Sequence, residues 1–313
     1  MDSRIAVLGQ GLIGRAWAIG FARAGADVTL WDGVEGVADA APALIAPLVE
    51  EMATRGLLFD PVDAVMARLH PCENIAASLE GAVHVQENTP EKLEIKREVL
   101  GEIDRLAAPD AVIASSTSGL LPSAMFEGLE GAHRCLVAHP LNPPHLLPAV
   151  ELVPGPQTDA ATLAACHATM QAAGHSLITL KREIPGFVMN RLQGALLDEA
   201  FRLVEAGIAD PEDVDIALRD GLALRWSIIG PFETIDLNAP GGVSDYIDRY
   251  GPMYVDLAIG TEGRPDWTGP VREQVTQDRR ARLPLADIPA RSAWRDTRLA
   301  DLALHRRDLK PKD

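Results

Sequence analysis

The chain has 313 residues, 47% hydrophobic and 24% charged, which gives room for two globular domains with well-buried cores and excludes a disordered chain. Its net charge of −16 argues against a nucleic-acid footprint or a polybasic membrane surface, while leaving space for a local basic pocket. Cys72, Cys135 and Cys166 are widely spaced with no CxxC pair, predicting a reducing compartment and neither a disulfide framework nor a thiolate metal site.

Residues 4–32, RIAVLGQGLIGRAWAIGFARAGADVTLWD, carry the strongest signal. An apolar run at 5–8 feeds Gly9, Gly11, Leu12, Ile13 and Gly14, a helix-like stretch runs to about residue 24, and a strand at 27–31 ends at Asp32. Gly9 permits the tight turn, Gly11 lets the backbone approach a pyrophosphate, and Gly14 allows close helix–strand packing. The helix start offers free N–H groups to phosphates, and Asp32 suits the adenosine ribose hydroxyls while repelling a 2′-phosphate. NAD is therefore the expected cofactor. No apolar leader follows Arg4, and no run approaches the roughly 20 apolar residues that span a bilayer, so a cytoplasmic protein that binds no membrane is expected.

Helical patterns follow at 35–56 and 61–69, a buried strand at 82–87, a charged helix at 90–106 and a strand at 111–115. The last ends in the hydroxyl cluster Ser115, Ser116, Thr117 and Ser118. Such strand ends collect ligands in open α/β sheets, but serine also caps helices, and a short helix is expected near Pro122. Two apolar runs, 135–138 and 149–153, read as strands joined by a Pro-rich turn. His139 ends the first and Glu151 lies inside the second. A hairpin-like reversal would bring the imidazole and the carboxylate within hydrogen-bond reach, a pairing suited to general acid–base work. The alternative is a strand-capping histidine and a structural carboxylate. A helix at 159–173 and a strand at 176–179 complete the α/β pattern. Beyond Pro185 only helical periodicity remains, at 187–206, 211–220 and 243–259, and an amphipathic tail from about 284 is expected to pack against a neighbour. The expected fold class is α/β: an N-terminal Rossmann domain (1–184) followed by an all-α C-terminal domain (185–313). No HExxH or comparable ligand cluster appears, so no metal is expected.

These stretches together resemble the 3-hydroxyacyl-CoA dehydrogenase superfamily. The resemblance rests on the glycine fingerprint, VQENTPEKLEIK, SSTSGLLPS, AHPLNPPHLLPAVELVPG and GFVMNRLQGALLDEAFRLVEAGI, while LRWSIIGPFETIDLNAPGG points to its lambda-crystallin branch. The resemblance implies a catalytic dyad at His139 and Glu151, a substrate-hydroxyl serine at Ser118, an active-site asparagine at Asn190 and a position beside the site at Asn142. It also implies that Glu87 and Lys96 lie near the nicotinamide ribose, that NAD is the cofactor, and that the helical half forms a homodimer. The implied reaction is NAD-dependent oxidation of a small L-3-hydroxy acid, with L-gulonate foremost. A 3-hydroxyacyl-CoA, L-carnitine or a short hydroxy acid are alternative substrates, and a non-enzymatic, crystallin-like NAD-binding protein is a further alternative. Arg225, before Gly230-Pro231-Phe232, is positioned in sequence either to grip a free carboxylate or to make an ordinary salt bridge.

Overall fold

A computed structural model of the chain describes residues 1, 3–258 and 270–309. The chain opens with β1 (Arg4–Leu8), α1 (Leu12–Arg23), β2 (Asp27–Trp31), α2 (Val37–Thr54), α3 (Val62–Met66), β3 (Leu69–Pro71) and α4 (Ile75–Leu79). It continues with β4 (Ala82–Glu87), α5 (Leu93–Leu106), β5 (Val112–Ser115), α6 (Pro122–Met125), β6 (Cys135–Pro140), β7 (Ala149–Pro154), α7 (Ala160–Ala172) and β8 (Ser176–Thr179). The strands form one sheet in the order β3-β2-β1-β4-β5-β6-β7-β8. The strands from β1 to β6 run parallel; β7 pairs antiparallel to β6, and β8 runs parallel to β7. The order reverses at β1, so the crevice between the carboxyl ends of β1 and β4 is the switch point at which such sheets bind ligands.

Strand alternation sorts the core into two layers. Ile5, Val7, Val28, Leu30, Leu136, Ala138, Val150 and Leu152 pack with Trp17 and Phe21 of α1. Their sequence neighbours Ala6, Leu8, Val85, Ile113, Cys135, Val137 and Val153 face the other way, against Leu100 and Ile103 of α5 and Phe187. Because side chains point to opposite faces in turn, Glu87, Ser115, His139 and Glu151 all fall on the α5 face by parity. The three thiols are free, and burial pushes those of Cys135 and Cys166 up to about 12.

Strands at 27–31, 82–87 and 176–179 have the predicted limits. β3 and α4 were not foreseen: the predicted helix at 61–69 ends at Met66, and the chain turns into a three-residue edge strand. That strand is too short to show alternation, and it ends on a proline that an edge tolerates.

The chain divides into two compact units: Met1–Arg191 together with the chain from Trp294, and Leu192–Ala293. The helices beyond β8 are α8 (Met189–Glu205), α9 (Pro211–Ile216), α10 (Ala223–Trp226), α11 (Pro231–Leu237), α12 (Gly242–Ala258), α13 (Pro270–Arg282) and α14 (Ile288–Leu309). The tail helix finds its neighbour in α2 of its own chain: Arg55 pairs with Asp301, and Thr297 Oγ1 donates to Glu51 Oε1 at 2.9 Å.

Arg134 anchors the end of α5 to the start of β6. Its guanidinium donates to the carbonyls of Ala108 and Asp104 and pairs with Asp104 Oδ1 at 3.0 Å, while Asp104 Oδ2 accepts from Gly131 N at 3.1 Å. Asp104→Ala leaves a buried guanidinium facing only carbonyls, and breaking such a pair costs about 3 kcal/mol or more. Urea unfolding should show that loss; a change below about 1 kcal/mol would mean that the pair contributes no more than an exposed one.

Candidate active site

The turn after β1 has two glycines that only glycine can supply. Gly9 has φ +86°, and a Cβ there would lie 2.6 Å from the Asn88 carbonyl oxygen. A Cβ at Gly14 would lie 1.8 Å from the Gly9 oxygen. These contacts seat α1 tightly on the turn. At Gly11, by contrast, an added Cβ would meet nothing within 4 Å, so the backbone faces open space. Gly11 caps α1 without a side-chain hydrogen bond, which leaves the N–H groups of the first turn, including Leu12 and Ile13, available to an anion. Asp32 stands at the end of β2, where its carboxylate accepts from Gln10 N at 2.7 Å and Val34 N at 2.9 Å. A cradle with room at its backbone, a free helix start and a half-buried acid at the next strand end fits NAD. Asp32 thereby also orders the glycine turn itself, a link that residue spacing does not reveal.

Two polar networks occupy the ends of β4 and β5, one on each face. On the α1 face Ser116 Oγ accepts from Trp17 Nε1 at 2.9 Å and from Gln86 Nε2 at 2.7 Å, and donates to Asn88 Oδ1 at 2.7 Å. On the α5 face Lys96 Nζ binds both oxygens of Glu87 at 2.9 and 3.1 Å and donates to Thr89 O at 3.1 Å. Glu87 also accepts from Ser115 Oγ at 2.5 Å and from Thr89 N at 2.6 Å. Glu87 and Lys96 are thus engaged by each other and by the loops they hold, with 0% and 1% of their surface exposed.

The predicted hairpin forms, and His139 and Glu151 are direct partners across it. His139 Nδ1 lies 2.7 Å from Glu151 Oε2. The other carboxylate oxygen accepts from Val188 N at 2.7 Å and Met189 N at 2.9 Å, at the start of α8. Phe187 covers the imidazole with its ring 5.5 Å away, and holds φ +49° to do so. Burial pushes the Glu151 carboxyl up, but the hydrogen bonds from His139, Met189 and Val188 outweigh it, so the group is held below its ordinary value of 4.5.

Immediately after Met189, Asn190 Nδ2 donates to the Ser118 carbonyl oxygen at 2.7 Å. The Ser118 loop is held from its other side by Glu91, a residue the sequence did not single out. Glu91 Oε1 accepts from Thr117 Oγ1 at 2.5 Å, Ser118 N at 2.9 Å and Gly119 N at 3.1 Å. The helix-cap alternative for Ser118 does not hold: α6 starts after Leu121 without a side-chain cap. His139, Glu151, Asn190, Ser118 and Glu91 therefore lie along one path of hydrogen bonds and backbone. Asn142 lies exposed on the β6–β7 connection, before a cis peptide to Pro143. Arg225 is exposed on α10 in the second unit.

The NAD-binding domain of 3-hydroxyacyl-CoA dehydrogenase, as a family, matches residues 4–184, and the C-terminal domain of that enzyme matches residues 186–259. The chain belongs to the 3-hydroxyacyl-CoA dehydrogenase family. It is an NAD-dependent oxidoreductase. The chain is 39% identical to lambda-crystallin of Oryctolagus cuniculus, with 98% of each chain covered. It is 38% identical to L-carnitine dehydrogenase of Streptomyces coelicolor over 80% of this chain and 78% of the relative. Among solved structures, 5-formyl-3-hydroxy-2-methylpyridine 4-carboxylic acid 5-dehydrogenase, an NAD+-dependent dismutase, superposes with a TM-score of 0.82 at 26% identity, covering 100% of both chains.

Two outcomes follow from this geometry. Gly14→Ala should weaken NAD binding roughly tenfold or more, about 1.4 kcal/mol, with a lowered Tm. An unchanged Kd by fluorescence titration would show that the turn tolerates the Cβ. Because the folded state depresses the Glu151 carboxyl, its share of stability is present above pH 4.5 and is lost as pH falls through the lowered value. The stability gap between the natural chain and Glu151→Gln, measured by denaturant unfolding, should narrow over that acid range; a constant gap would contradict the charged pairing.

Proposed function

We propose that this chain oxidises the 3-hydroxyl of a small, free L-3-hydroxy acid, with conversion of L-gulonate to 3-dehydro-L-gulonate as its reaction. The observation that carries the reading is the buried contact at 2.7 Å between His139 Nδ1 and Glu151. That contact fixes the ring and leaves Nε2 as the nitrogen that meets a substrate hydroxyl. His139 takes the hydroxyl proton, and Glu151 stabilises the imidazolium that results. Bound NAD supplies the hydride acceptor. Ser118 and Asn190, joined at 2.7 Å, hold the hydroxyl and orient the carbinol carbon, with Asn142 beside them. Gly9, Gly11, Leu12, Ile13, Gly14 and Asp32 hold the cofactor; Glu87 and Lys96 support the ribose side by fixing the Thr89 backbone and the Ser115 hydroxyl. Arg225 grips the substrate carboxylate as a bidentate donor.

One observation favours a second substrate, L-carnitine. Within the second unit Tyr246 lies 4.7 Å ring to ring from Tyr250 and bonds Tyr254 through the two hydroxyls at 2.9 Å. Arg225 is close enough to act electrostatically on Tyr246. A tyrosine cluster in the same unit as Arg225 suits a quaternary ammonium and a carboxylate in one molecule, and the relative from Streptomyces coelicolor carries that activity in its name.

We also infer a domain boundary at residue 184/185, a homodimer formed through the helical half, and work in the reducing cytoplasm. The second unit supports the dimer: Phe232, Leu237, Ile247, Tyr254, Val255 and Leu257 are each more than half exposed on α11 and α12. No described helix is long and apolar enough to cross a membrane.

The test is NADH formation by the purified protein offered L-gulonate, L-carnitine, L-3-hydroxybutyrate and L-3-hydroxybutyryl-CoA in parallel. L-Gulonate should be preferred, and His139→Ala should lower kcat by about 10² to 10⁴ while NAD still binds. Preference for the CoA ester would overturn the free-acid reading, and full activity of His139→Ala would overturn the role of the dyad.

A further inference from the structure

A cavity of about 870 Å³ lies in the first unit and is lined by none of the residues assigned above to cofactor or catalysis. Its volume is in the range of small-molecule sites, about 300–1,000 Å³. It is bounded by the end of α1, the segment after α2, residues 145–148 of the β6–β7 connection, the end of α7 and the tail helix α14. Leu57, Leu146, Leu147, Leu299 and Leu302 make it apolar on several sides.

Two guanidiniums line the same space, and they differ. Arg68 is neutralised by Asp60 at 2.6 Å and donates to the Ala22 oxygen at 2.9 Å. Arg23 has no carboxylate partner among the described residues. It donates to the neutral His145 carbonyl at 2.8 Å, and burial lowers its pKa. The imidazoles beside it, His145 and His175, are held at about 4 by burial and then by Arg23, so they are neutral near pH 7. Arg23 is thus a half-buried positive charge beside an apolar cavity. Such a charge is costly unless a counter-charge meets it.

We propose that this cavity binds an amphipathic monocarboxylate, with the carboxylate on Arg23 and the hydrocarbon chain along the leucines. Arginine takes a carboxylate through two parallel N–H donors, and the bond to the His145 carbonyl uses Nη1, which leaves Nε and Nη2 of Arg23 for that pairing. The apolar walls supply affinity for each methylene buried. The site is independent of the hydroxy-acid reading, because neither the ligand nor Arg23 enters that chemistry. The occupant would touch the connection that leads from Pro140 into β7, the strand of Glu151, so binding should also stabilise the fold.

The experiment is calorimetric titration of the full chain, saturated with NAD, with octanoate, 1-octanol and acetate, alongside thermal unfolding. One octanoate per chain should bind and raise Tm, with 1-octanol and acetate each weaker by roughly tenfold or more. Arg23→Gln should weaken octanoate by roughly the same factor, and Ala303→Trp, which fills the cavity from the tail helix, should abolish binding; both should still form NADH. The proposal is overturned by equal binding of 1-octanol and octanoate, by displacement of octanoate by the oxidisable substrate, by full octanoate affinity in Ala303→Trp, or by no heat and no change in Tm at millimolar octanoate. The ligand comparison on the natural chain decides the matter even where Arg23→Gln fails to fold.

Discussion

A carboxylate with no exposed surface holds the candidate site together. Glu151 accepts from an imidazole on the next strand and from two backbone amides at the start of α8. Without it the His139 imidazole would be left buried and unpaired, and the two part-buried amides would lose their shared acceptor. The amides at the helix start favour a negative charge, and the imidazole favours it again when protonated. The same three bonds fix the residue that follows, so Asn190 reaches Ser118 from a backbone already anchored. The groups of the candidate site come from β6, β7, α8 and the loop after β5, yet they share one electrostatic centre.

Around that centre the sheet separates its polar duties by parity. Even-numbered Gln86 and Ser116 meet Trp17 on the α1 side, where the glycine turn is braced through Asn88. Odd-numbered Glu87 and Ser115 meet Lys96 on the α5 side, where the Thr89 loop is held. The cofactor turn and the hydroxyl loop therefore have separate supports on opposite layers. In this buried Lys–Glu pair every carboxylate oxygen is bonded, which offsets the desolvation penalty of such pairs and fixes the local geometry.

Much of this is legible in the sequence. The glycine turn and its terminal acid were legible because each residue answers a backbone demand that sequence order alone expresses. The His139–Glu151 pair was legible because a hairpin fixes its register within one short segment. Glu91 was not, since it acts through a loop whose path depends on the strand two elements later. The mutual engagement of Glu87 and Lys96 was hidden for a similar reason: spacing along a chain says that two residues are near a ligand, not that they face each other. β3 failed because three residues cannot show a period. Arg225 stays a proposal, because its value depends on what it meets in three dimensions rather than on its place in a motif.

The reversal of β7 has a consequence for how the site is assembled. His139 and Glu151 are separated by 12 residues, whereas the Asn190–Ser118 bond spans 72. Closing a loop six times longer costs about 1.6 kcal/mol more in chain entropy, before any stabilising contact is made. The His139–Glu151 hairpin is therefore a local product of its own segment, and the Asn190–Ser118 clasp is a late, long-range one. Mutations that loosen the sheet at a distance should loosen the Asn190–Ser118 contact before they disturb the His139–Glu151 pair.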